Sequence, residues 1–323
     1  MKYRELRGSP VSEIGLGCSG FWGSKQFNEH QAIEIVREAF ELGVNHFDTG
    51  HNYCNYNAEP RLGRALSEIV AGADRSKLFI STKAGTLRRK PLLPISDVKT
   101  TDHSPDYIER ACAQALKNLR VDYVDVFYLH HFPPQSITEE LLSRLRTMRE
   151  RGMFRLLGIN THRESDMRYV ADLGGIFDVA LVDINVAQLD RLPIIEYMHN
   201  AGIAVMAGTV LAQGHLIGGK IGRVRRLSDI WYFARALLKS DARRLAHAAR
   251  DVRPVLNSIS GMSAAQAAMA YVLSLPQVTS CIFGTTDLLN LREIVASTGK
   301  ALTAEDSAAI LAAFRHQQSF ASV

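Results

Sequence analysis

Apolar positions along the chain follow two alternating rhythms. Short β-rich runs recur, and each is followed by a longer stretch in which apolar residues return every three or four positions. The short runs predict strands at Glu13–Gly17, Asn45–Thr49, Leu78–Thr82, Tyr123–His130, Phe154–Ile159, Phe177–Asn185, Ile203–Ala207 and Thr279–Phe283. Eight strands, each trailed by a helix, predict an α/β chain whose parallel sheet closes into a (β/α)8 barrel, the TIM-barrel arrangement.

The helix signals are local and physical. Between the first two strands Asn28 can cap, Ala32, Ile35, Val36, Ala39 and Phe40 share one face, and Gly43 stops the run. Glu34, Arg37 and Glu38 are left for solvent. The third helix opens with Ser104 as cap, Pro105 in the first turn and Asp106 at the positive end of the dipole, then presents Ile108, Cys112, Ala115 and Leu119 as one stripe. Further helices are predicted over 58–71, 136–151, 164–173, 190–201, 262–274 and 287–297. Three stretches exceed the minimal barrel: residues 1–12, expected as an N-terminal β-hairpin, a long loop 85–103 after the third strand, and 212–261 after the seventh. Within the last, 227–250 is rich in Leu, Ala and Arg and reads as a lid or an extra helix. No linker interrupts 1–323, so one domain is expected.

Composition narrows the function. The chain has 323 residues, 46% of them hydrophobic, enough for a large core without staples. Lys and Arg number 38 against 33 Asp and Glu, a net charge of +5 with no long basic run, so nucleic acid is not the expected partner. Cys18, Cys54, Cys112 and Cys281 are scattered with no CxxC pair, which fits a reducing cytoplasm better than a disulfide framework or a thiolate zinc site. The opening MKYRELRGSP lacks a signal peptide's apolar core, and no stretch reaches the roughly 20 apolar residues of a membrane helix. A soluble cytoplasmic protein acting on a small molecule is the expectation.

Gly15, Gly17 and Gly20 spell GxGxxG after an apolar run, the turn of a dinucleotide-binding Rossmann unit. That turn must open a helix, and here Phe21, Trp22, Gly23 and Ser24 follow instead. The glycines then read as a strand end that lets a ligand approach, or as a plain tight turn. More informative are the next three strand ends. Asp48 closes the second in HFDTG, Tyr53 follows five residues on, Lys83 closes the third in FISTKAG, and His130 closes the fourth in DVFYLHH. In a barrel these ends share one mouth. A Tyr phenol is a poor acid at neutral pH, but a neighbouring ammonium lowers its pKa and a carboxylate holds the ammonium in place. A neutral His beside them can orient a carbonyl oxygen. Singly, each residue has a dull structural reading; together at successive strand ends they predict a proton donor for carbonyl chemistry. A metal held by His130 and His131 with His51 or Cys54 is the weaker alternative, because adjacent strand residues face opposite ways.

These residues resemble the aldo-keto reductase superfamily. The resemblance spans nearly the whole chain through the GLG strand, GVNHFDTGHNY with EPRLGRAL behind it, the STK strand end, VDYVDVFYLHHFP, and GIAVMAG followed by LAQG. The most specific parts are Asp48-Thr49 separated by three residues from Tyr53 and the spacing of Asp122, Asp125 and His130. The resemblance implies Asp48, Tyr53, Lys83 and His130 as a catalytic tetrad with Tyr53 as general acid, and a nicotinamide cofactor, NADPH or NADH, across the strand ends. It implies a substrate pocket near His131 and Phe132, to which Trp22, Tyr56 and Trp231 are further candidates suggesting a ring or sugar. For the cofactor it implies Asn160, Thr161, Asn185, Gly208, Thr209, Leu211, Gln213, Gly284, Thr285, Thr286 and Asn290.

Departures from the family pattern concentrate in that last set. Asn160 and Thr161 stand where the family has Ser-Asn on the nicotinamide amide, Leu181 where it has Gln, and Gly208 where it has a stacking aromatic ring. Phe283 and Thr286 stand where it has Pro and Arg at the adenine end, and an Arg fork is the natural partner of a 2′-phosphate. Gly284, Thr285 and Thr286 can still offer amides and hydroxyls to phosphates, and Arg223, Arg225 and Arg226 could supply charge. The implied activity is hydride transfer between a nicotinamide and a carbonyl or alcohol. Two alternatives are a redox-neutral epimerase or eliminase with tightly held cofactor, and a cofactor-sensing regulatory subunit.

Overall fold

The computed structural model describes residues 1–70, 74–89, 98–216 and 240–321. β1 (Tyr3–Leu6) and β2 (Ser9–Ser12) form the expected antiparallel hairpin. β3 (Ile14–Gly17), β4 (His46–Asp48) and β5 (Phe79–Ala84) begin the barrel. A second hairpin, β6 (Thr86–Arg89) with β7 (Val98–Thr101), lies in what the sequence suggested was plain loop. β8 (Val124–His130), β9 (Phe154–Asn160), β10 (Val179–Asp183), β11 (Ala204–Gly208) and β12 (Val278–Phe283) complete a closed eight-stranded parallel barrel, β12 returning to β3. The predicted strands are all present; the sixth is shorter than 177–185, and the third runs on to include Lys83.

Helices alternate with these strands: α1 (Glu29–Glu41), α2 (Ala58–Val70), α3 (Pro105–Leu119), α4 (Glu139–Glu150), α5 (Glu164–Asp172), α6 (Leu192–Asn200), α7 (Ser240–Ser258), α8 (Ala264–Ser274) and α9 (Leu288–Val295). The caps act as read from the sequence. Asn28 accepts from the Gln31 amide, and Ser104 from the Tyr107 amide with Pro105 in the first turn. Ser263 and Gln266 add a reciprocal capping box on α8. A closing helix, α10 (Ala304–Ala321), was not predicted. Of the lid stretch, 217–239 lies outside the described residues, and its far end is the start of α7. Among the described residues no helix is long and apolar enough to cross a membrane.

Two cores follow from the two faces of each strand. Phe47, Ile80, Phe127, Leu157, Ala180 and Cys281 point outward into the helices. Two-residue alternation sends Phe79, Val126, Tyr128, Leu156, Val179, Leu181, Met206 and Ile282 inward. Leu6 and Val11 of the hairpin join that inner cluster and stop the lower end of the barrel. Burying each such side chain contributes about 1.5–3 kcal/mol. The opposite rim carries Gly17, Asp48, His130, Asn160, Asp183, Gly208 and Phe283, the last residues of seven strands, and Lys83, next to the last of β5. The GxGxxG run is thus the end of barrel strand β3 and the turn beyond it, with no helix opening there.

Candidate active site

A cleft of about 760 Å³ opens over that rim. Its floor is an ion pair buried inside the barrel. Lys83 Nζ donates to both oxygens of Asp48, at 2.6 and 2.7 Å, and Ser81 Oγ donates to Asp48 Oδ1 at 2.7 Å. The register explains the meeting: Asp48 and Ser81 are paired partners on β4 and β5, and Lys83 follows Ser81 on the same inward face. Lys83 is 1% exposed, so burial pulls its ammonium below the ordinary range, with Asp48 working against that shift. Its Nζ lies 5.5 Å from the Tyr53 ring centroid and 5.3 Å from that of Tyr128.

Tyr53 sits on a tight loop laid over the strand ends. The His51 amide donates to the Lys83 carbonyl at 2.9 Å, and the Tyr53 amide to Gly50 at 3.0 Å. Cys54, Asn55 and Tyr56 then take three successive left-handed conformations, with φ of 55°, 55° and 64°. Such a run costs roughly 1–2 kcal/mol per residue, and side-chain anchors hold it. Asn57 Nδ2 donates to the Gly23 carbonyl at 2.8 Å, and the Tyr56 hydroxyl exchanges hydrogen bonds with the Arg88 backbone at 3.1 and 3.3 Å. Buried Glu59, just after the turn, accepts from Thr82, Asn118 and His51. His51 is therefore engaged away from any metal position, and among the described residues no group of three His, Cys, Asp or Glu side chains could hold an ion.

The expected lowering of the Tyr53 pKa by Lys83 is not what the site does. Burial pushes the phenol far above its ordinary range, the Asp48 and Asp183 carboxylates push the same way, and Arg88 opposes them. Lys83 is instead matched to Asp48. Tyr53 consequently holds its proton throughout the neutral range.

His130 stands edge-on to Tyr53, ring centroids 6.0 Å apart. His131 differs from the expectation for adjacent strand residues: its φ of 58° breaks the strand and folds its ring onto His130, centroids 4.3 Å apart and nearly parallel. His162 continues the shelf 4.9 Å from His131 and pairs with Asp183 at 2.7 Å. For Asp183, burial opposes the charge, but the His162 hydrogen bond and nearby cations outweigh it and hold the carboxyl below the ordinary range. Arg88, His162, Asp183, Asn52 and Ser19 line the cleft and were not singled out from the sequence. Ser19 and Asn52 lie on the turns after β3 and β4, Arg88 comes in on the hairpin β6–β7, and His162 and Asp183 come in at the ends of β9 and β10.

The other predicted residues divide. Asn160, Gly208, Thr209, Leu211, Gln213, Gly284, Thr285, Thr286 and Asn290 line the cleft. Thr161 does not: it is buried and donates to Asp166 at 3.1 Å. Asn185 does not either, since it is fully buried, donates to Gln188 at 2.8 Å and accepts from the Ala187 amide. Phe132 is fully buried, its ring centroid 4.0 Å from that of His103, and Tyr56 is the loop anchor described above, so neither lines the pocket. Trp22 reaches the cleft, but its indole N–H donates to the Ala32 carbonyl and only 2% of it is exposed. Trp231 and Arg223, Arg225 and Arg226 lie outside the described residues.

At the far end of the cleft Asp287 caps α9, accepting from the Leu289 and Asn290 amides, while Thr285 Oγ1 accepts from the Asp287 amide. Those first-turn amides are therefore taken by a carboxylate. What fits a dinucleotide is the shape: a trough from Tyr53 past Gly208 to Thr286, larger than a small carbonyl compound needs, with the amide side chains of Asn160, Gln213 and Asn290 along it. Gly208 leaves the wall open, and a Cβ there would stand 3.1 Å from Asp183 Oδ1.

Comparison with known proteins matches residues 13–314 to the aldo/keto reductase family. An L-glyceraldehyde 3-phosphate reductase from Escherichia coli (strain K12) is 28% identical over 310 residues, 91% of this chain and 87% of that protein. An L-galactose dehydrogenase from Arabidopsis thaliana is 27% identical over 300 residues, 90% of this chain and 85% of its own. Among solved structures, a glycerol dehydrogenase from Gluconobacter oxydans aligns with a TM-score of 0.79 at 19% identity, covering 98% of this chain and 96% of that one, a likeness of fold.

Proposed function

The chain belongs to the aldo/keto reductase family, and from that premise we propose that it interconverts the carbonyl and alcohol forms of a small polyhydroxylated substrate, with Tyr53 as proton donor. Enzymes of this family are NAD(P)-dependent oxidoreductases. The observation that carries the residue assignment is the buried Asp48–Lys83 pair beneath Tyr53 with His130 edge-on to its ring.

When bound, NADPH or NADH supplies the hydride that reaches the carbonyl carbon. Every other requirement falls to this chain. Tyr53 carries its proton at rest, and although burial and two carboxylates make the phenol a weak acid, a carbonyl oxygen that gains negative charge becomes basic enough to take that proton. The proton moves from the phenol to that oxygen, leaving a phenolate facing the Lys83 ammonium. Lys83 stays charged because Asp48 holds it at both oxygens. His130 orients the carbonyl from the side of the cleft. Gln213, Gly284, Thr286 and Asn290, with the side-chain carbonyl of Asn160, whose Nδ2 donates to the Leu181 carbonyl at 2.9 Å, are the groups that would hold the dinucleotide. In the reverse direction the same phenolate would accept the alcohol proton.

The substrate class rests on the polar ring around Tyr53. Asn52, Arg88, His131, His162 and Asp183 offer both donors and acceptors around the reacting position, which suits neighbouring hydroxyls better than a hydrocarbon. The relatives named for L-glyceraldehyde 3-phosphate, L-galactose and glycerol point the same way. The test is to follow nicotinamide absorbance with glyceraldehyde and propanal, which differ in the two hydroxyls. A kcat/KM at least about tenfold higher for glyceraldehyde is expected. Equal values, or a preference for propanal, would contradict the substrate class.

A further inference from the structure

A buried polar chain runs through the barrel beneath the catalytic floor, and the mechanism above does not use it. Ser280 Oγ on β12 lies 3.1 Å from His46 Nδ1 on β4, and His46 Nε2 lies 3.3 Å from Ser81 Oγ on β5. Ser81 in turn donates to Asp48 at 2.7 Å. Ser280, His46 and Ser81 are all fully buried. The fold makes room for the imidazole deliberately: a Cβ on Gly15, the first glycine of the GxGxxG run, would stand 2.7 Å from His46 Nδ1. That glycine serves a histidine inside the barrel rather than a dinucleotide phosphate.

The direction of each bond is fixed by counting protons. A serine hydroxyl has one, and that of Ser81 goes to Asp48, so Ser81 can only accept from His46. His46 Nε2 must therefore carry the ring proton. Burial keeps the ring neutral, with its pKa pulled down to about 4, so Nδ1 is bare and accepts from the Ser280 hydroxyl. All three hydrogen bonds then point the same way, from Ser280 through His46 and Ser81 to the carboxylate that holds Lys83.

Resting on the reading of Asp48, Lys83 and Tyr53 as the proton-donating group, we propose that His46 is a positioning residue for that group, fixing the Ser81 hydroxyl on Asp48 and so the place of the Lys83 ammonium under Tyr53. A histidine serving only to fill the barrel would need neither a defined tautomer nor Ser81. His46 touches no reacting atom and acts through Ser81 alone.

The test pairs spectroscopy with a mutant cycle on the full chain. The imidazole ¹⁵N spectrum of His46, assigned by its loss in His46→Gln, should show a protonated Nε2 and a bare Nδ1 near neutral pH. Ser81→Ala, which removes one buried atom, should lower kcat about tenfold while KM and NADH affinity stay within about twofold. His46→Phe should cost about as much alone but little more in the Ser81→Ala background, and His46→Gln, whose amide can replace the Nε2 donor, should recover most of the loss. A ring protonated at Nδ1, an unchanged kcat in Ser81→Ala, or additive losses would overturn the proposal. Tyr53→Phe run alongside separates the two readings. Full turnover in that variant would sink the proton-donor assignment and the catalytic meaning of the chain with it, whereas its loss beside an active Ser81→Ala would sink the His46 proposal alone.

Discussion

The two walls of the cleft are built to different standards of definition. On the β4–β5 side the groups of the floor are bonded to one another and the loop above them is tied down: Lys83 and Ser81 on Asp48, and the Tyr53 loop through Tyr56, Asn57 and Glu59. On the β9–β12 side several side chains that could have gripped a cofactor are turned elsewhere: Thr161 to Asp166, Asn185 to Gln188, and Thr285 to Asp287. Leu181 and Gly208 between them offer no polar side chain at all. The proton-donating wall thus owes its geometry to contacts within the barrel, whereas the facing wall leaves shape, backbone and a few amides to hold the dinucleotide.

Unpairing the defined wall should have the largest effect. Lys83→Met leaves Asp48 buried without its counter-ion and should cost about 3–5 kcal/mol, read as a lower urea midpoint, together with loss of turnover. Stability within about 1 kcal/mol of the parent chain would mean that the pair is not the rigid floor described.

The next effect is a pH dependence from His46. Its folded pKa is depressed to about 4 from an ordinary value near 6.5, so the unfolded chain binds that proton first as pH falls. Stability is fully present above about pH 6.5 and is lost toward pH 4, by up to about 3 kcal/mol. Urea unfolding across this window should therefore fall more steeply for the parent chain than for His46→Gln; parallel curves would place the charge change on another group.

The smallest effect sharpens the other wall. Asn185→Ala should cost about 1 kcal/mol of stability, from its bonds to Gln188 and Ala187, and leave NADH and NADPH affinity unchanged. A weakened dinucleotide complex would return Asn185 to the cofactor site.

The sequence carried the defined wall well and the other poorly, for a physical reason. Strand alternation and the DT-x3-Y and Asp-x2-Asp-x4-His spacings place Asp48, Lys83 and His130 at strand ends whatever the loops do, because regular backbone transmits position. The same alternation predicted eight strands, and cap residues such as Asn28 and Ser104 placed helix starts. Asn185 and Thr161 were read as reaching the ligand because residue type says what a side chain can bond, not which neighbour takes it first. His131 was read as facing away from His130, since nothing local marks its left-handed turn. Arg88, His162 and Asp183 escaped notice because they meet only through a hairpin and two separate strand ends. The direction of the Tyr53 shift was missed because Asp183 and the depth of burial are tertiary facts.

Proton donation and cofactor grip reside on separate walls, so removing the Tyr53 hydroxyl should affect the first and spare the second. Tyr53→Phe is titrated with NADH and NADPH by fluorescence, and its carbonyl reduction is measured with saturating cofactor. Dinucleotide affinity should stay within about twofold of the parent chain while kcat falls by about a thousandfold. A loss of cofactor binding as large as the loss of turnover, or turnover that survives without the hydroxyl, would contradict this separation.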